Sequence, residues 1–294
     1  MKKIPVILDT DIGIDIDDTW ALAMLLNCPR LDLKLVTTAT GDTHYRAAIA
    51  AKLLEAAGRT DVPVGIGIES GYEIKPQQEW IKHYDLSSYP GTVYNDAVES
   101  IINTIMHSPD PVTIICIGPL SNISEALRRE PKIVHNARFV GMHGSIFYGL
   151  DGEKGRIAEY NVVQDISAAQ HVFSADWSMT ITPLDTCGIV RLEEDKYQTV
   201  LKSKKPVTRA LLENYRVWDA FHQLHNDEKQ SSILFDTVAV YLAFADDFLE
   251  MESRGIEISN DGVMSVDGNG QPVNCALKWK NLDGFYDLLV SCLL

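Results

Sequence analysis

Five carboxylates fall within ten residues: Asp9, Asp11, Asp15, Asp17 and Asp18 occupy the run DTDIGIDIDD, directly after the apolar run 4–8. Negative charges so close raise one another's pKa and resist sharing a site. A hard divalent cation removes that repulsion: calcium takes roughly 6 to 8 oxygen ligands and magnesium an octahedral oxygen set, so clustered aspartates suit either ion. The competing use is helix capping beside a wet acidic loop, which occupies one or two aspartates and leaves the others without a role. A helical apolar pattern over 17–26 (DDTWALAMLL) follows, so the run reads as strand, acidic turn, helix. In open α/β sheets ligands gather beyond the carboxyl ends of the strands, where such a turn lies.

Three further pieces could add to that chemistry. Gly118-Pro-Leu-Ser-Asn122 ends the apolar run 112–117 and opens a helix; Asn122 with Glu125 reads as a capping box, or as a strand-end carbonyl aimed at the acidic turn. Glu159 and Asn161 offer acceptor and donor groups suited to sugar hydroxyls, or simply form a surface loop. Asp236 stands near the start of the apolar stretch 232–244 (SILFDTVAVYLAF), as a helix cap or as a further ligand.

The elements that must position these residues alternate. Apolar or β-branched runs at 4–8, 33–39, 62–66, 112–117 and 138–142 are separated by helical patterns at 17–26, 45–57, 96–106 and about 122–129, with an irregular stretch near 70–92 and a later helix at 166–173. That rhythm predicts βαβ units in one open, mostly parallel sheet flanked by helices, with a Rossmann-like core. No repeat or compositional shift divides residues 1–294, so one domain is expected.

A formal net charge of −15 disfavours nucleic acid backbones and anionic membrane surfaces as partners and suits a small neutral or cation-assisted substrate. The N-terminal apolar run is too short for a signal peptide or membrane span. Cys28, Cys116, Cys187, Cys275 and Cys292 are odd in number and lack CxxC spacing, which argues for reduced thiols and a cytoplasmic protein.

Taken in order, these pieces resemble the inosine-uridine-preferring nucleoside hydrolase family. DTDIGIDIDDTWAL is similar to its DxDxGxDDxxAL signature, TIICIGPLSNISEAL to its strand and GPLTN helix start, AEYNVVQDISAA to its AEFNxxxDPEAA segment, ITPLDT to its LD(V/T) run and LFDTVAV to its HDPxAV run. The resemblance covers nearly the whole chain. It implies the nucleoside hydrolase fold and a calcium-dependent (Ca2+) enzyme that cleaves the bond between ribose and a nucleobase with a calcium-bound water, acting on a small-molecule ribosyl substrate as a homodimer or homotetramer. It implies that Asp11 contacts the metal and serves as general base, that Asp18, Asp236 and the Ile117 carbonyl are metal ligands, and that Asp17, Glu159 and Asn161 hold the ribose. Asp9 would be an outer carboxylate that holds the loop.

The sequence departs from that family in four places. The acidic turn carries two extra residues, so Asp15 has no counterpart and could compete with Asp17 for the ribose diol. Gly41-Asp42 replaces a GN pair, exchanging an active-site amide for the Asp42 carboxylate. The asparagine that meets the ribose 5′-hydroxyl falls near Glu153 or Lys154. Phe235 stands where pyrimidine-capable members carry the histidine that protonates the base. A purine preference is therefore expected, with Trp218 or Tyr215 as a stacking face and His222 or His225 as a relocated acid, unless the segment 215–225 is an ordinary amphipathic helix. Two other readings use part of the sequence: a phosphatase of the haloacid dehalogenase type, whose strand and DxD loop ILDTDIGI resembles, and a noncatalytic ribosyl-binding protein of the same fold.

Overall fold

The computed structural model describes residues 2–71, 74–224, 229–266 and 270–294. Ten strands form one sheet: β1 (Ile4–Thr10), β2 (Leu31–Thr38), β3 (Val64–Ile66), β4 (Val93–Tyr94), β5 (Val112–Cys116), β6 (Ala137–Met142), β7 (Met179–Thr182), β8 (Leu249–Ile258), β9 (Met264–Ser265) and β10 (Gln271–Trp279). Their order is β4-β3-β2-β1-β5-β6-β7-β10-β8-β9. The first seven run parallel, β10 joins β7 in parallel, and β8 and β9 add antiparallel pairs at one end. From β1 the chain steps outward to β4, then returns to place β5 on the other flank of β1. That reversal opens a crevice beyond the carboxyl ends of β1 and β5.

The central strands are apolar throughout because helices cover both faces of the sheet. Alternation sends Val6 and Leu8 of β1 into one core layer, with Trp20 and Leu22, and Ile7 into the other, with Ile101, Ile114 and Phe139. The helix Asp17–Asn27 ends where Pro29 follows an extended Cys28, since the residue before proline is biased away from the helical region. All five thiols are free and buried, and among the described residues no helix is long and apolar enough to cross a membrane.

Three features differ from the sequence reading. The irregular stretch near 70–92 contains the short helix Gln78–Ile81 and a 3-10 turn Leu86–Ser88. The helix expected over 215–225 starts earlier, as Pro206–His222, with Pro206 in the first turn where its missing N–H costs nothing; His225 lies outside the described residues. The antiparallel end of the sheet has no counterpart in the reading, because the charged positions of β8 (LEMESRGIEI) mask its period on a half-exposed strand.

Candidate active site

A cavity of about 490 Å³ opens at the carboxyl ends of β1, β5 and β6. One wall is acidic: Asp11, Asp15, Asp17 and Asp18 from the turn after β1, and Asp236 from the helix Phe235–Leu242. Ile117, just past β5, and Asn161 and Glu159, around the start of the helix Tyr160–Gln164, complete the polar lining. Apolar residues of the lining include Ile14, Leu150, Ile157, Tyr160, Val163 and Phe235.

The aspartates on the acidic wall are not caps. The helix Asp17–Asn27 begins at Ile16 and the helix Phe235–Leu242 at Leu234, and neither start has a side-chain cap. Carboxylate oxygens of Asp17, Asp18 and Asp236 instead lie within 4.8 Å of one another, and all three residues are buried. Burial first lifts all three carboxyls well above the ordinary range; repulsion adds to it, from Asp15 and Asp11 at Asp17, from Asp11 and Asp17 at Asp18, and from Asp17, Asp18 and Asp11 at Asp236, while hydrogen bonds from Asp236 oppose it at Asp17. Only Thr10, which donates to Asp18, and the buried Arg46 work against this for Asp18. An oxygen-only set that is held together at this electrostatic cost fits a hard divalent cation.

Asp11 stands beside that triad. Burial pushes its carboxyl up to about 6, and the Arg46 guanidinium, 4.0 Å away, pulls it down. Arg46 is fully buried and donates to the carbonyls of Thr40 (2.7 Å) and Ile12 (3.0 Å), so its charge is locked under the turn. Gly118 packs flat against Asp11: a Cβ there would lie 2.7 Å from the Asp11 nitrogen. This contact explains the glycine of GPLSN better than helix propensity does. His143, also fully buried, bonds the Gly118 carbonyl through Nε2 at 3.1 Å, and burial lowers its pKa to about 4, so it is a neutral donor at physiological pH. The sequence reading missed His143, whose only signal was a histidine just after a buried strand.

Residues from three other segments hold the lengthened turn. Tyr45 donates to the Gly13 carbonyl (2.9 Å), Gln77 to the Asp15 carbonyl (2.7 Å) and Trp218 to the Ile14 carbonyl (2.9 Å). Gln77 is itself braced by Asn214 at 2.6 Å, and both are fully buried. Gly13 takes φ +126°, a conformation that side chains other than hydrogen rarely adopt. With this bracing the turn is preorganised, although it comes from a stretch with no regular structure.

Asn122 is not the capping residue expected of it: the helix Ser121–Arg129 starts at Leu120 without a side-chain cap. Its amide instead donates to Asp9 (2.8 Å) and to the Thr38 carbonyl (3.0 Å) and accepts from the Ile68 N–H, which ties β1 to β2. Asp9 also accepts from Thr37 at 2.6 Å; burial raises its carboxyl to about 7, and it is absent from the cavity lining. The phosphatase reading asks this first aspartate to face a substrate, and its burial beneath the sheet end opposes that reading.

Glu159 has a double position. It caps the helix Tyr160–Gln164, accepting from Asn161 (2.7 Å), Val162 (3.3 Å) and Gly144 (3.0 Å), yet it lines the cavity. Burial outweighs those bonds and lifts its pKa to about 7. The Asn161 amide nitrogen bonds the carbonyls of Ile117 (3.3 Å) and Met142 (3.1 Å). The apolar wall is held from below by Asp185 of the LDT run, which accepts from the N–H groups of Ile146, Phe147 and Tyr148.

Four expected residues lie outside the lining. Asp42 caps the helix Thr43–Ala56 through Tyr45 and pairs with Lys75, which turns its carboxylate toward the surface. Trp218 is buried with its ring against Tyr215 and His222, and its indole N–H is spent on Ile14, so it supports the turn and offers no stacking face to the cavity. Tyr215 is buried behind it, against Trp20. His222 is exposed at the end of the helix Pro206–His222. Among the described residues, the aromatic rings that reach the cavity are Phe235 and Tyr160.

Comparison with known proteins agrees with this geometry. The non-specific ribonucleoside hydrolase RihC of Klebsiella pneumoniae subsp. pneumoniae is 29% identical over 287 residues, covering 92% of each chain. The inosine-uridine preferring nucleoside hydrolase of Crithidia fasciculata is 27% identical over 277 residues, 90% of this chain and 86% of that one. Among solved structures, the plant nucleoside hydrolase PpNRh1 superposes with a TM-score of 0.84 at 21% identity over 99% of both chains. A purine-preferring ribonucleoside hydrolase from Gardnerella vaginalis superposes with a TM-score of 0.81 at 19% identity over 98% of both. The family model described as inosine-uridine preferring nucleoside hydrolase matches residues 6–286, and this chain belongs to that family of N-glycosyl hydrolases.

Proposed function

We propose that the chain, acting as one catalytic domain over 1–294, is a calcium-dependent ribonucleoside N-ribohydrolase that prefers purines. The observation that carries this reading is the buried triad Asp17, Asp18 and Asp236 at the floor of the cavity, with Asp11 beside it, in a chain of this family. Asp18, Asp236, Asp11 and the Ile117 carbonyl would hold the ion, which would supply positive charge that orients and acidifies the attacking water. Calcium acidifies water less than zinc does, so the base function falls to Asp11, which takes the water proton as the oxygen closes on the anomeric carbon. Asp17 accepts from the ribose hydroxyls, with Glu159 and the amide oxygen of Asn161 as further acceptors. The same carboxylates stabilise the positive charge that develops on the ribosyl ring only in the transition state.

Two features support the purine preference. Phe235 and Tyr160 present apolar rings to the base half of the cavity, and purines stack more strongly and can be protonated on the ring from solvent. Phe235 itself cannot give a proton to a departing uracil. The fold neighbour from Gardnerella vaginalis is a purine-preferring ribonucleoside hydrolase, which points the same way.

The test is release of free ribose from a panel of ribonucleosides with calcium present and after chelation. We expect turnover of ribonucleosides only with metal, purines at least about tenfold above pyrimidines, and 2′-deoxyribosides weaker by on the order of 10⁴, since a site built around hydroxyls rejects an analogue that lacks one. Full activity after exhaustive chelation would refute the metal assignment. Tight binding of ribosides without any released sugar would point instead to a noncatalytic binding protein.

A further inference from the structure

We propose that Asp15 gives this cavity a preference for ribosides whose heterocycle carries a fixed positive charge, such as N-ribosylpyridinium compounds or N7-methylated purine ribosides. The inference rests on the N-ribohydrolase reading above and names the substrate class within it.

The leaving group sets the requirement. A neutral nucleobase leaves as an anion unless a proton reaches it, and every titratable group among the described lining residues other than the Tyr160 phenol is a carboxylic acid, all but Asp15 assigned above to the metal and the sugar. The apolar part of the lining, which this reading gives to the base, includes Ile14, Leu150, Ile157, Tyr160, Val163 and Phe235. A cationic heterocycle has no need of a donor. Its C1′–N bond breaks with both electrons passing to the ring nitrogen, which discharges the cation and releases a neutral base. Water oxygen bonds to C1′ and the water proton passes to Asp11, so the step balances with no other reactant.

Asp15 supplies the attraction. It lines the cavity, follows the apolar lining residue Ile14 in the chain, and is no part of the close triad. One carboxylate oxygen accepts from the Ile16 N–H at 2.6 Å, and its own carbonyl is pinned by Gln77 at 2.7 Å, so the charge has a fixed place. Among the described residues no lysine or arginine forms an ion pair with it; burial raises its carboxyl, while the Ile16 N–H and the exposed His222 act in the opposite direction. A fixed carboxylate at the edge of an apolar surface favours a cation over its neutral isostere, because the surrounding dielectric is lower than in water. The chain's net charge of −15 adds a long-range pull on cationic substrates.

The experiment compares each variant with itself across a matched pair, guanosine and 7-methylguanosine, with N-ribosylnicotinamide as a third substrate, using the full chain with calcium. Intrinsic lability of the methylated base cancels in that design. In Asp15→Asn the ratio of kcat/KM on 7-methylguanosine to that on guanosine is expected to fall about tenfold or more relative to the unaltered protein, and Asp15→Glu should retain most of it. If Asp15→Asn folds poorly, the pair Asp15→Glu and Asp15→Gln, equal in length and different in charge, reads the same ratio. A parallel fall on N-ribosylnicotinamide extends the preference to pyridinium ribosides, whereas a fall on 7-methylguanosine alone confines it to purines. An unmoved ratio overturns the proposal, as does selective loss of guanosine turnover in His222→Ala, which would locate a proton donor on the helix end. Absence of hydrolysis on every riboside would instead remove the underlying N-ribohydrolase reading.

Discussion

Among the described residues two groups bring three potential metal-binding side chains within 4.8 Å of one another: Asp17, Asp18 and Asp236 at the switch point of the sheet, and Asp42, His44 and Glu69 beyond the ends of β2 and β3. By proximity alone they are equivalent. Their surroundings separate them. In the outer group Asp42 caps a helix and pairs with Lys75, while His44 and Glu69 are exposed and 3.4 Å apart. Burial raises the Asp42 carboxyl, but the Lys75 ammonium and the Tyr45 N–H together outweigh it, and the net shift is downward. In the inner group burial and repulsion push upward and prevail over a threonine hydroxyl, a guanidinium, the Asp236 backbone N–H and a hydrogen bond between Asp17 and Asp236 themselves. The outer cluster is satisfied by the protein; the inner one is satisfied only by protons or a cation. Proximity of acidic groups is therefore a weak criterion for a metal site, and the unmet electrostatic demand is the stronger one.

The largest test of that difference is removal of one acid from each group. Asp18→Ala or Asp236→Ala should abolish calcium binding measured by titration calorimetry and lower kcat/KM by about 10³ or more, the scale of a lost Lewis acid. Asp42→Ala should bind calcium as before and change kcat/KM by less than about threefold, as surface substitutions do. Comparable losses in the two groups would erase the distinction.

The next effect concerns pH. Glu159 is raised from 4.5 to about 7 by burial, so between those values the folded state keeps a proton that the unfolded state has lost. Its contribution to stability is therefore present at low pH and is lost as pH rises from about 4.5 through 7, with a span on the order of 3 kcal/mol. Denaturant titrations of Glu159→Gln at pH 4 and pH 8 should show the variant gaining that amount on the unaltered chain as pH rises. Asp42 has the opposite sign, since its lowered pKa adds stability above 3.8 that disappears as pH falls through the folded value. Parallel slopes for Glu159→Gln and Asp42→Asn would contradict the contrast between buried and paired carboxylates.

A smaller loss tests how tightly the inner group is positioned. Gly118→Ala places a methyl 2.7 Å from the Asp11 nitrogen and 3.0 Å from its Oδ1, so the turn must move. A displacement of that size should reduce kcat by on the order of 10²-fold with calcium still bound. Unchanged turnover would show that the turn tolerates a shift that the close packing argues against. The smallest expected effect is on stability alone: Asp42→Ala removes a helix cap and should cost about 1 kcal/mol in a denaturant melt.

Much of the fold was legible because parallel strands buried on both faces must be apolar along their length, and the runs at 4–8, 112–117 and 138–142 are. The antiparallel end was not, because in β8 Glu250, Glu252 and Arg254 share one parity and Glu257 takes the other, so the alternation changes phase within the strand. The candidate site was legible to the extent that its residues cluster in the chain. Asp11, Asp17 and Asp18 announce themselves by crowding, and Asp236 by a charge in an apolar helix; the structure brings these four to one cavity. A family motif suggests Asp42, and residue type alone suggests Trp218 and His222 as replacements for the histidine missing at Phe235; local partners are decisive in each case: a free helix N-terminus for Asp42, the Ile14 carbonyl for Trp218, and open solvent for His222.

By itself, the sequence determined that a dense negative charge sits between a strand and a helix and that a hard cation is the economical way to hold it, because charge and strand-helix rhythm are properties of neighbouring residues. Tertiary structure decided which oxygens converge, that Asn122 ties two strands and caps nothing, that Gly118 presses against Asp11 while His143 holds the Gly118 carbonyl, and that Tyr45, Gln77 and Trp218 clamp the turn. Those contacts join residues up to 204 positions apart, and the hydrogen bonds that select among a polar side chain's possible roles are set by whichever unsatisfied backbone group the fold delivers to it.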